Sequence, residues 1–271
     1  MPSAPTTQPS ATATFRTDDG LQLTFDRWVP SGPTRGVPVL LHHGFAASAA
    51  ANWVAPGIVD ALLADNRNVI ALDARGHGRA EKPHDSTKYG HARMSTDVST
   101  LLDHLGFATP GSVDLIGYSM GGFVTAITAA RREPRLRCVV IGGIGERSMK
   151  GEGLNRDAVA AALEADDAST VADRSARQFR NFAETTGADR LALAAIMRSP
   201  FQLLTDLDRI NVPALVLVGT HDDLATHPER LAEAIPGAVL ELTPGTHLSA
   251  VAEPQYAQAM VTFLHKIDAV G

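Results

Sequence analysis

The chain has 271 residues, of which 44% are hydrophobic and 20% charged, as is typical of a soluble globular protein with one large α/β domain. Its formal net charge of −6 comes from interleaved acidic and basic residues, which argues against a nucleic-acid partner because such partners usually require a basic patch. Cys138 is the only cysteine, so an intrachain disulfide is excluded, and its place in the apolar run 136–141 favours a buried strand residue.

The segment 1–14 is rich in Pro, Ser, Thr and Ala and has neither a positively charged start nor an apolar core. We therefore interpret it as a disordered tail, and not as a secretory signal or a membrane span. On this reading we expect a cytoplasmic protein that has no membrane partner.

From residue 15 onward, short apolar runs alternate with amphipathic stretches. The first segment predicts a β-hairpin with a two-residue turn at Asp19-Gly20. Buried strands are predicted at 39–41, 69–72, 113–117, 136–141, 214–218 and 239–242, and helices at 56–64, 94–105, 122–132 and 254–267. Such alternation predicts an α/β fold in which helices cover both faces of a mostly parallel sheet of about eight strands.

The segment 147–208 interrupts this alternation, because it carries helical patterns at 157–165, 170–184 and 189–197 and no strand pattern. We interpret it as an inserted helical cap on a core formed by 15–146 and 209–271. Large apolar side chains of the cap are available to face a substrate pocket: Met149, Phe179, Phe182 and Phe201, with Leu154 and Met197. We interpret Arg174, Arg177 and Arg180 as a solvated helix face, because several carboxylates lie near them in the sequence.

Gly117-Tyr118-Ser119-Met120-Gly121 fits the pattern G-x-S-x-G and lies between a predicted strand and a predicted helix. The chain must reverse tightly here, so a Cβ two positions to either side of Ser119 would press on a neighbouring strand or helix, and glycine is required. In this context the motif resembles the nucleophile elbow of the α/β-hydrolase superfamily, in particular its small capped serine hydrolases of esterase, lactonase or perhydrolase type.

The resemblance implies a catalytic triad in the chain order serine, acid, histidine, beginning with Ser119. His247 follows the last predicted strand and is the expected histidine, although other histidines also stand at strand ends: His42, His43, His77 and His221. The pattern G-x-x-D selects Asp222 as the acid, with Asp223 and then Glu146 as alternatives.

The same resemblance implies an oxyanion hole made by two backbone N–H groups, those of Met120 and Phe45. Phe45 ends the segment His43-Gly44-Phe45, which is similar to the H-G-x loop of the family. Arg75 and His77 are interpreted as structural residues that tie loops together. Two positions depart from the family pattern, Ala80 in place of serine and Thr246 in place of glycine.

These features imply acyl transfer on a small-molecule carboxylic ester or lactone. Alternatives on the same triad are perhydrolysis and C–C bond hydrolysis, or a hydrolase-like receptor or binding protein with little turnover. Haloalkane dehalogenase and epoxide hydrolase chemistry is disfavoured, because both need a carboxylate where this chain has Ser119. His84, His91 and His104 lack metal-ligand spacing and no phosphate-binding loop is present, so we expect neither metal nor cofactor. The sequence leaves the oligomeric state open.

Overall fold

The computed structural model describes residues 7–152 and 154–270. Its strands are β1 Ala11–Arg16, β2 Gln22–Trp28, β3 Val39–His42, β4 Val69–Asp73, β5 Val113–Tyr118, β6 Leu136–Gly142, β7 Ala214–Gly219 and β8 Val239–Thr243. They form one eight-stranded sheet in the order β1-β2-β4-β3-β5-β6-β7-β8. β2 pairs antiparallel with β1 and β4, and the other neighbours pair in parallel. The predicted α/β class is therefore confirmed.

The helices are α1 Ile58–Ala64, α2 His91–His104, α3 Met120–Ala130, α4 Glu146–Met149, α5 Arg156–Glu164, α6 Arg174–Thr186, α7 Arg190–Arg198, α8 Pro228–Ala234 and α9 Pro254–Asp268. One core cluster takes apolar side chains from α2 and α3, and a second takes them from α1 and α9. Because helices cover both faces, β3, β4, β5 and β7 are buried along their whole length, which is why they read as continuous apolar runs. No helix in 7–152 or 154–270 has the length and apolar character needed to cross a membrane.

The insertion between β6 and β7 contains α4 to α7, and we keep the name cap for residues 147–208. Its longer helices begin at side-chain caps, since Asn155, Asp173 and Asp189 each accept a hydrogen bond from a backbone N–H of the first turn. α5 packs against both α6 and α7. The apolar side chains of these helices, among them Val159, Leu163, Ala176 and Leu193, belong to the same core cluster as those of α2 and α3, so the cap is continuous with the main core.

Two predictions about the N-terminal hairpin were wrong. The predicted disordered tail 1–14 is the first, since residues 11–14 belong to β1 and pair with β2. Alternating threonines and Phe15 favour a strand with one buried face. Residues 1–6 of the predicted tail lie outside the described residues. The connection is also longer than a two-residue turn and runs over 17–21. It is closed by the Thr17 N–H, which donates to the Leu21 carbonyl at 2.9 Å. This longer loop lets the Asp19 carboxylate reach Arg75 at 3.0 Å.

The prediction that the three cap arginines form a solvated face was wrong for Arg180. Its side chain is buried and Nη1 donates to the carbonyl oxygen of Ala162 at 2.6 Å and to that of Ala165. The carbonyl groups at the end of α5 have no intrahelical donors, so a cation is stabilising there. Arg180 is therefore a helix-capping residue, whereas Arg174 and Arg177 are exposed.

Candidate active site

The turn between β5 and α3 holds Ser119 in a backbone conformation that non-glycine residues rarely adopt, with φ 53° and ψ −113°. The expected steric need for the flanking glycines is confirmed. A Cβ on Gly117 would lie 2.0 Å from the Gly121 carbonyl oxygen, and one on Gly121 would lie 1.9 Å from the His42 carbonyl oxygen. The Ser119 N–H donates to the Gly142 carbonyl at 2.8 Å, which ties the turn to β6.

The structure brings Ser119, His247 and Asp222 together at the carboxyl edge of the sheet. The Ser119 Oγ lies 2.9 Å from His247 Nε2, and His247 Nδ1 lies 2.8 Å from Asp222 Oδ2. The Asp222 side chain is fully buried, and its Oδ1 also accepts the backbone N–H groups of Leu224 and Ala225, each at 3.0 Å. The carboxylate is thus fixed from two sides while it faces the imidazole.

The two alternative acids lie elsewhere. Asp223 is exposed and its carboxylate makes no hydrogen bond to any part of the chain that the structure describes. Glu146 pairs with Lys150 at 2.8 Å on the first turn of α4. Neighbouring residues in an extended segment point in different directions, so only one carboxylate after β7 can face His247.

The loop that carries His247 is anchored at its own backbone. The Tyr118 hydroxyl donates to the His247 carbonyl at 2.7 Å, and the two rings lie 5.4 Å apart. The Thr246 N–H donates to Ser249 Oγ at 2.9 Å, and the Thr246 side chain is exposed. A threonine therefore fits where the resemblance implied a glycine.

The two expected oxyanion donors flank Ser119. Met120 is the first residue of α3, where a backbone N–H has no intrahelical acceptor. On the other side, a Cβ on Gly44 would lie 3.4 Å from Ser119 Cβ, so the segment 43–45 runs directly past the serine. The Gly44 N–H donates to Asn52 Oδ1 at 2.8 Å, which holds this segment in place, and the next residue, Phe45, lines both cavities that contain Ser119.

Three buried histidines, His42, His43 and His77, support that segment, and we call them the histidine cluster. His43 Nε2 accepts the Ala74 N–H at 3.0 Å, so its Nδ1–H donates to the Gly44 carbonyl at 2.8 Å. His77 Nε2 accepts the Ala46 N–H at 3.2 Å, and its Nδ1–H donates to the Arg75 carbonyl at 3.0 Å. Burial lowers the pKa of all three imidazoles, to about 3 for His42, so they are neutral at pH 7.

Arg75 has the structural role expected of it. Its buried guanidinium pairs with Asp97 of α2 at 2.6 Å and with Asp19 of the hairpin loop at 3.0 Å. Three carboxylates lie close together here, those of Asp18, Asp19 and Asp97. Each forms an ion pair, Asp19 and Asp97 with Arg75 and Asp18 with Arg93. This acidic group is therefore part of an ion-pair network that joins the hairpin, the β4 loop and α2.

Two cavities open on Ser119 and His247, and both are also lined by Phe45 and Phe179. The cap cavity has a volume of about 100 Å³, and its lining includes His91, Phe123, Leu154, Arg156, Ile196, Met197 and Phe201. The loop cavity has a volume of about 330 Å³ and is lined by residues of the segments 44–56 and 248–252 and by Phe182. A substrate with two arms could therefore place one arm on each side of the serine.

Three of the four predicted pocket residues line these cavities. Phe179 lines both cavities, Phe201 lines the cap cavity and Phe182 lines the loop cavity. The prediction for Met149 was wrong, because within 7–152 and 154–270 it lies outside both linings and packs half-buried against the hydrophobic core. Ser148 lines the cap cavity instead, because the side chains of successive residues in a helix point about 100° apart.

The lining residues that the sequence did not predict include His91, Phe123 and Arg156. The His91 ring stacks on Phe123 at 4.8 Å and meets the edge of Phe201 at 5.3 Å. These contacts join α2, α3 and the cap, which are far apart in the sequence. A local pattern carries no signal for such a cluster.

Comparisons with known proteins agree with this architecture. A family model described as alpha/beta hydrolase fold matches residues 37–189. The chain is 30% identical over 260 residues to a non-heme chloroperoxidase of Streptomyces lividans, covering 84% of this chain and 90% of that protein. It is 28% identical to 3-oxoadipate enol-lactonase 2 of Acinetobacter baylyi, covering 78% of this chain and 80% of that protein. A solved hydrolase from Pseudomonas aeruginosa superposes with a TM-score of 0.73 at 26% identity over 95% of this chain and 99% of that one. The chain therefore belongs to the alpha/beta hydrolase fold family.

Proposed function

We propose that this protein is a serine hydrolase that cleaves small-molecule carboxylic esters or lactones through an acyl-enzyme intermediate. The single observation that carries the proposal is the hydrogen-bonded series from Ser119 Oγ through His247 to the buried Asp222 carboxylate. A serine hydroxyl is a weak nucleophile at neutral pH and needs an adjacent base that a third group orients. The strained turn supports the same role for Ser119, because such strain is concentrated at functional sites.

In the first step, Ser119 Oγ attacks the carbonyl carbon while its proton passes to His247 Nε2. Asp222 accepts the Nδ1–H of His247, which selects the tautomer with a free Nε2 lone pair and stabilises the imidazolium that forms. The Met120 and Phe45 N–H groups stabilise the charge on the former carbonyl oxygen. His247 then returns the proton to the departing alkoxide, and the acyl group remains on Ser119.

In the second step, His247 Nε2 takes a proton from water, and the resulting hydroxide attacks the acyl carbon in the same oxyanion site. Collapse of the tetrahedral intermediate releases the acid and restores the Ser119 hydroxyl with the proton held by His247. The mainly apolar walls of the two cavities suit an uncharged ester group at the reacting centre.

The enol-lactonase relative supports a lactone or ester as the substrate class. A second candidate, perhydrolysis, is favoured by the chloroperoxidase relative. In that reaction hydrogen peroxide would replace water as the acceptor of the acyl group and a peracid would be released. Comparison of acid release with peracid release, from one ester at a fixed peroxide concentration, separates the two.

Replacement of Ser119 by alanine tests the proposal. We expect Ser119→Ala to remain folded by circular dichroism and to lose ester hydrolysis by a factor on the order of 10⁴ or more, since triad residues act as a unit. A fluorophosphonate should label the wild-type chain at Ser119 and leave the variant unlabelled. Ser148→Ala is the matched control, because Ser148 also lines the cap cavity but its hydroxyl faces the Leu224 carbonyl. Retention of more than about a tenth of the activity by Ser119→Ala would contradict the proposal.

A further inference from the structure

The cap cavity contains a cation that no carboxylate neutralises. Arg156, the first residue of α5, lines the cavity and is half-buried, and it has no ion pair with any residue in the described ranges. The four arginines that are buried in the described part of the chain, Arg67, Arg75, Arg135 and Arg180, each pair with a carboxylate. Burial of an unpaired charge is costly. Helix stability offers no reason for this residue either, because a cation is unfavourable at a helix N-terminus.

The known contacts of Arg156 use only part of its donor set. Nη2 donates to the carbonyl oxygens of Ile196 and Ser199, both at 2.9 Å, which joins α5 to the end of α7. A guanidinium has five N–H donors in a planar fork, and those on Nε and Nη1 find no acceptor among residues 7–152 and 154–270. Burial lowers the pKa of this guanidinium, yet arginine remains charged at neutral pH.

A second observation at the same place comes from His91. Its side chain is buried at 8% exposure, it lines the cap cavity, and its Nδ1 is buried without a hydrogen-bond partner in the described part of the chain. The His91 ring and the Arg156 guanidinium both lie 5.3 Å from the centre of the Phe201 ring, so the two groups are close in space. Burial, with a smaller contribution from the Arg156 charge, lowers the pKa of His91 to about 4. Two polar groups with unused hydrogen-bonding capacity therefore lie near each other in a cavity whose walls are mainly apolar.

Aromatic rings connect this polar end with the serine. Phe123 lies one turn of α3 after Ser119, its ring is 5.4 Å from that of Phe201, and the Arg156 Cζ lies 5.3 Å over the Phe201 ring. This wall suits an aliphatic spacer between an ester at Ser119 and an anionic group at Arg156.

The nearby carboxylates do not fill this role. Asp157 is exposed and pairs with Arg198 at 3.1 Å. Glu152 lines the cap cavity but is itself exposed, and it makes no ion pair with Arg156. The positive charge in the cavity is thus available to a ligand.

We propose that the substrate carries a carboxylate remote from the scissile carbonyl, held by the Arg156 guanidinium beside His91 and joined to the ester by an aliphatic spacer along Phe123 and Phe201. This inference rests on the proposed function and specifies its substrate class, a carboxylate-bearing ester or lactone. The Nε and Nη1 donors that the backbone contacts leave free can each donate a charge-assisted hydrogen bond to a carboxylate oxygen.

Matched pairs of esters test the proposal by kinetics. On the acyl side the pair is monoethyl glutarate and ethyl pentanoate; on the alcohol side it is the acetyl ester of 4-hydroxybutanoate and butyl acetate. In at least one pair we expect wild-type kcat/KM to favour the anionic ester by about tenfold or more. Arg156→Gln should lower kcat/KM for that anionic ester by about ten- to a hundredfold, mainly through KM, and change the neutral ester by less than about threefold. Arg156→Lys should recover part of the loss, because it restores the positive charge but not the planar arrangement of donors.

Arg190→Gln is the matched control. The Arg190 Nη1 also donates to two carbonyl oxygens at a helix end, those of Leu163 and Ala165, but Arg190 does not line the cap cavity within the described residues. A loss of cap structure should lower the kcat/KM of both esters together, as we expect for this control. An equal effect of Arg156→Gln on both members of both pairs would overturn the proposal.

Binding to a non-hydrolysing protein separates this inference from the proposed function. Isothermal calorimetry with Ser119→Ala and the same two anionic esters should give a Kd that rises about tenfold or more when Arg156→Gln is added. If the wild-type chain hydrolyses none of the esters but this binding difference is present, the catalytic proposal fails and the carboxylate site stands. If neither anionic ester binds in an Arg156-dependent way and hydrolysis shows no discrimination, the carboxylate site is rejected.

Discussion

Histidines stand at two places along the carboxyl edge of the sheet, and their hydrogen-bond partners differ in kind. In the histidine cluster, both ring nitrogens of His43 and of His77 contact backbone groups. The ring nitrogens of His247 contact two side chains, Ser119 Oγ and the Asp222 carboxylate. A backbone partner fixes a loop, whereas a hydroxyl on one nitrogen and a carboxylate on the other prepare a proton transfer. The same residue type thus supports the segment 43–45 at one place and is suited to chemistry at the other.

This comparison predicts that changes at the two places affect different quantities. A change at the His247 side should lower the catalytic rate and leave the free energy of unfolding nearly intact. A change in the histidine cluster should lower the free energy of unfolding and leave the nucleophile reactive.

The largest expected effect is that of Asp222→Asn on kcat. The asparagine oxygen can still accept the Leu224 and Ala225 N–H groups, so the loop should keep its structure. The amide no longer selects the His247 tautomer and cannot neutralise the imidazolium, which lowered kcat by about 10⁴ in a well-studied serine protease. We expect a loss of that order, measured by steady-state ester hydrolysis, with a thermal midpoint close to that of the wild type.

Asp223→Asn is the matched control, because its carboxylate is exposed and adjacent in the sequence. It should keep most of the activity and change the free energy of unfolding by no more than about 0.5 kcal/mol. The reverse ranking would assign the acid to Asp223. Full activity in both variants would favour Glu146 as the catalytic acid.

The next effect in size is that of His77→Ala on stability. The change leaves the buried Ala46 N–H and Arg75 carbonyl without their partner, at about 1–3 kcal/mol for each group. We expect the free energy of unfolding to fall by about 2–6 kcal/mol, measured by urea denaturation. Below the unfolding temperature, Ser119 should still react with a fluorophosphonate. Unchanged stability with a loss of labelling would show that the histidine cluster belongs to the reacting centre.

Much of the fold could be predicted from the sequence because the relevant signals are local. Continuous apolar runs mark the buried parallel strands, and the G-x-S-x-G segment carries its own strand and helix context. The helix α8 was missed because it is short and buries a single residue, Leu231. β1 was missed in part because Phe15 is its one buried residue, so 11–14 have no apolar run, and the pairing with β2 is not visible in the local sequence.

The same distinction, between local signals and contacts with distant residues, applies to the candidate site. Ser119, His247 and Asp222 were each marked by position after a predicted strand, and the structure brings them within hydrogen-bonding distance. The roles of Arg180 and Arg156 were not predictable, because they depend on carbonyl groups 15 or more residues away and on the packing of α5 against α6 and α7. Residue spacing on one helix does not reveal which neighbour covers its face.

The smallest expected effect concerns the pH dependence of stability and extends the comparison to His91, a buried histidine without the backbone partners of the histidine cluster. Burial, with the Arg156 charge, lowers the His91 pKa to about 4 in the folded chain, against about 6.5 when unfolded. Between these values the unfolded chain binds a proton at this site and the folded chain does not, so the free energy of unfolding falls as pH falls. One such site changes the free energy of unfolding by at most about 1.4 kcal/mol per pH unit.

The variant His91→Phe tests this, because phenylalanine can keep the stack on Phe123 but cannot be protonated. Between pH 6.5 and 5, its free energy of unfolding should fall by about 1–2 kcal/mol less than that of the wild type, measured by urea denaturation at each pH. Equal decreases in the two proteins would mean that His91 is protonated in the folded chain as readily as in the unfolded one, and that its burial beside Arg156 does not exclude a second positive charge.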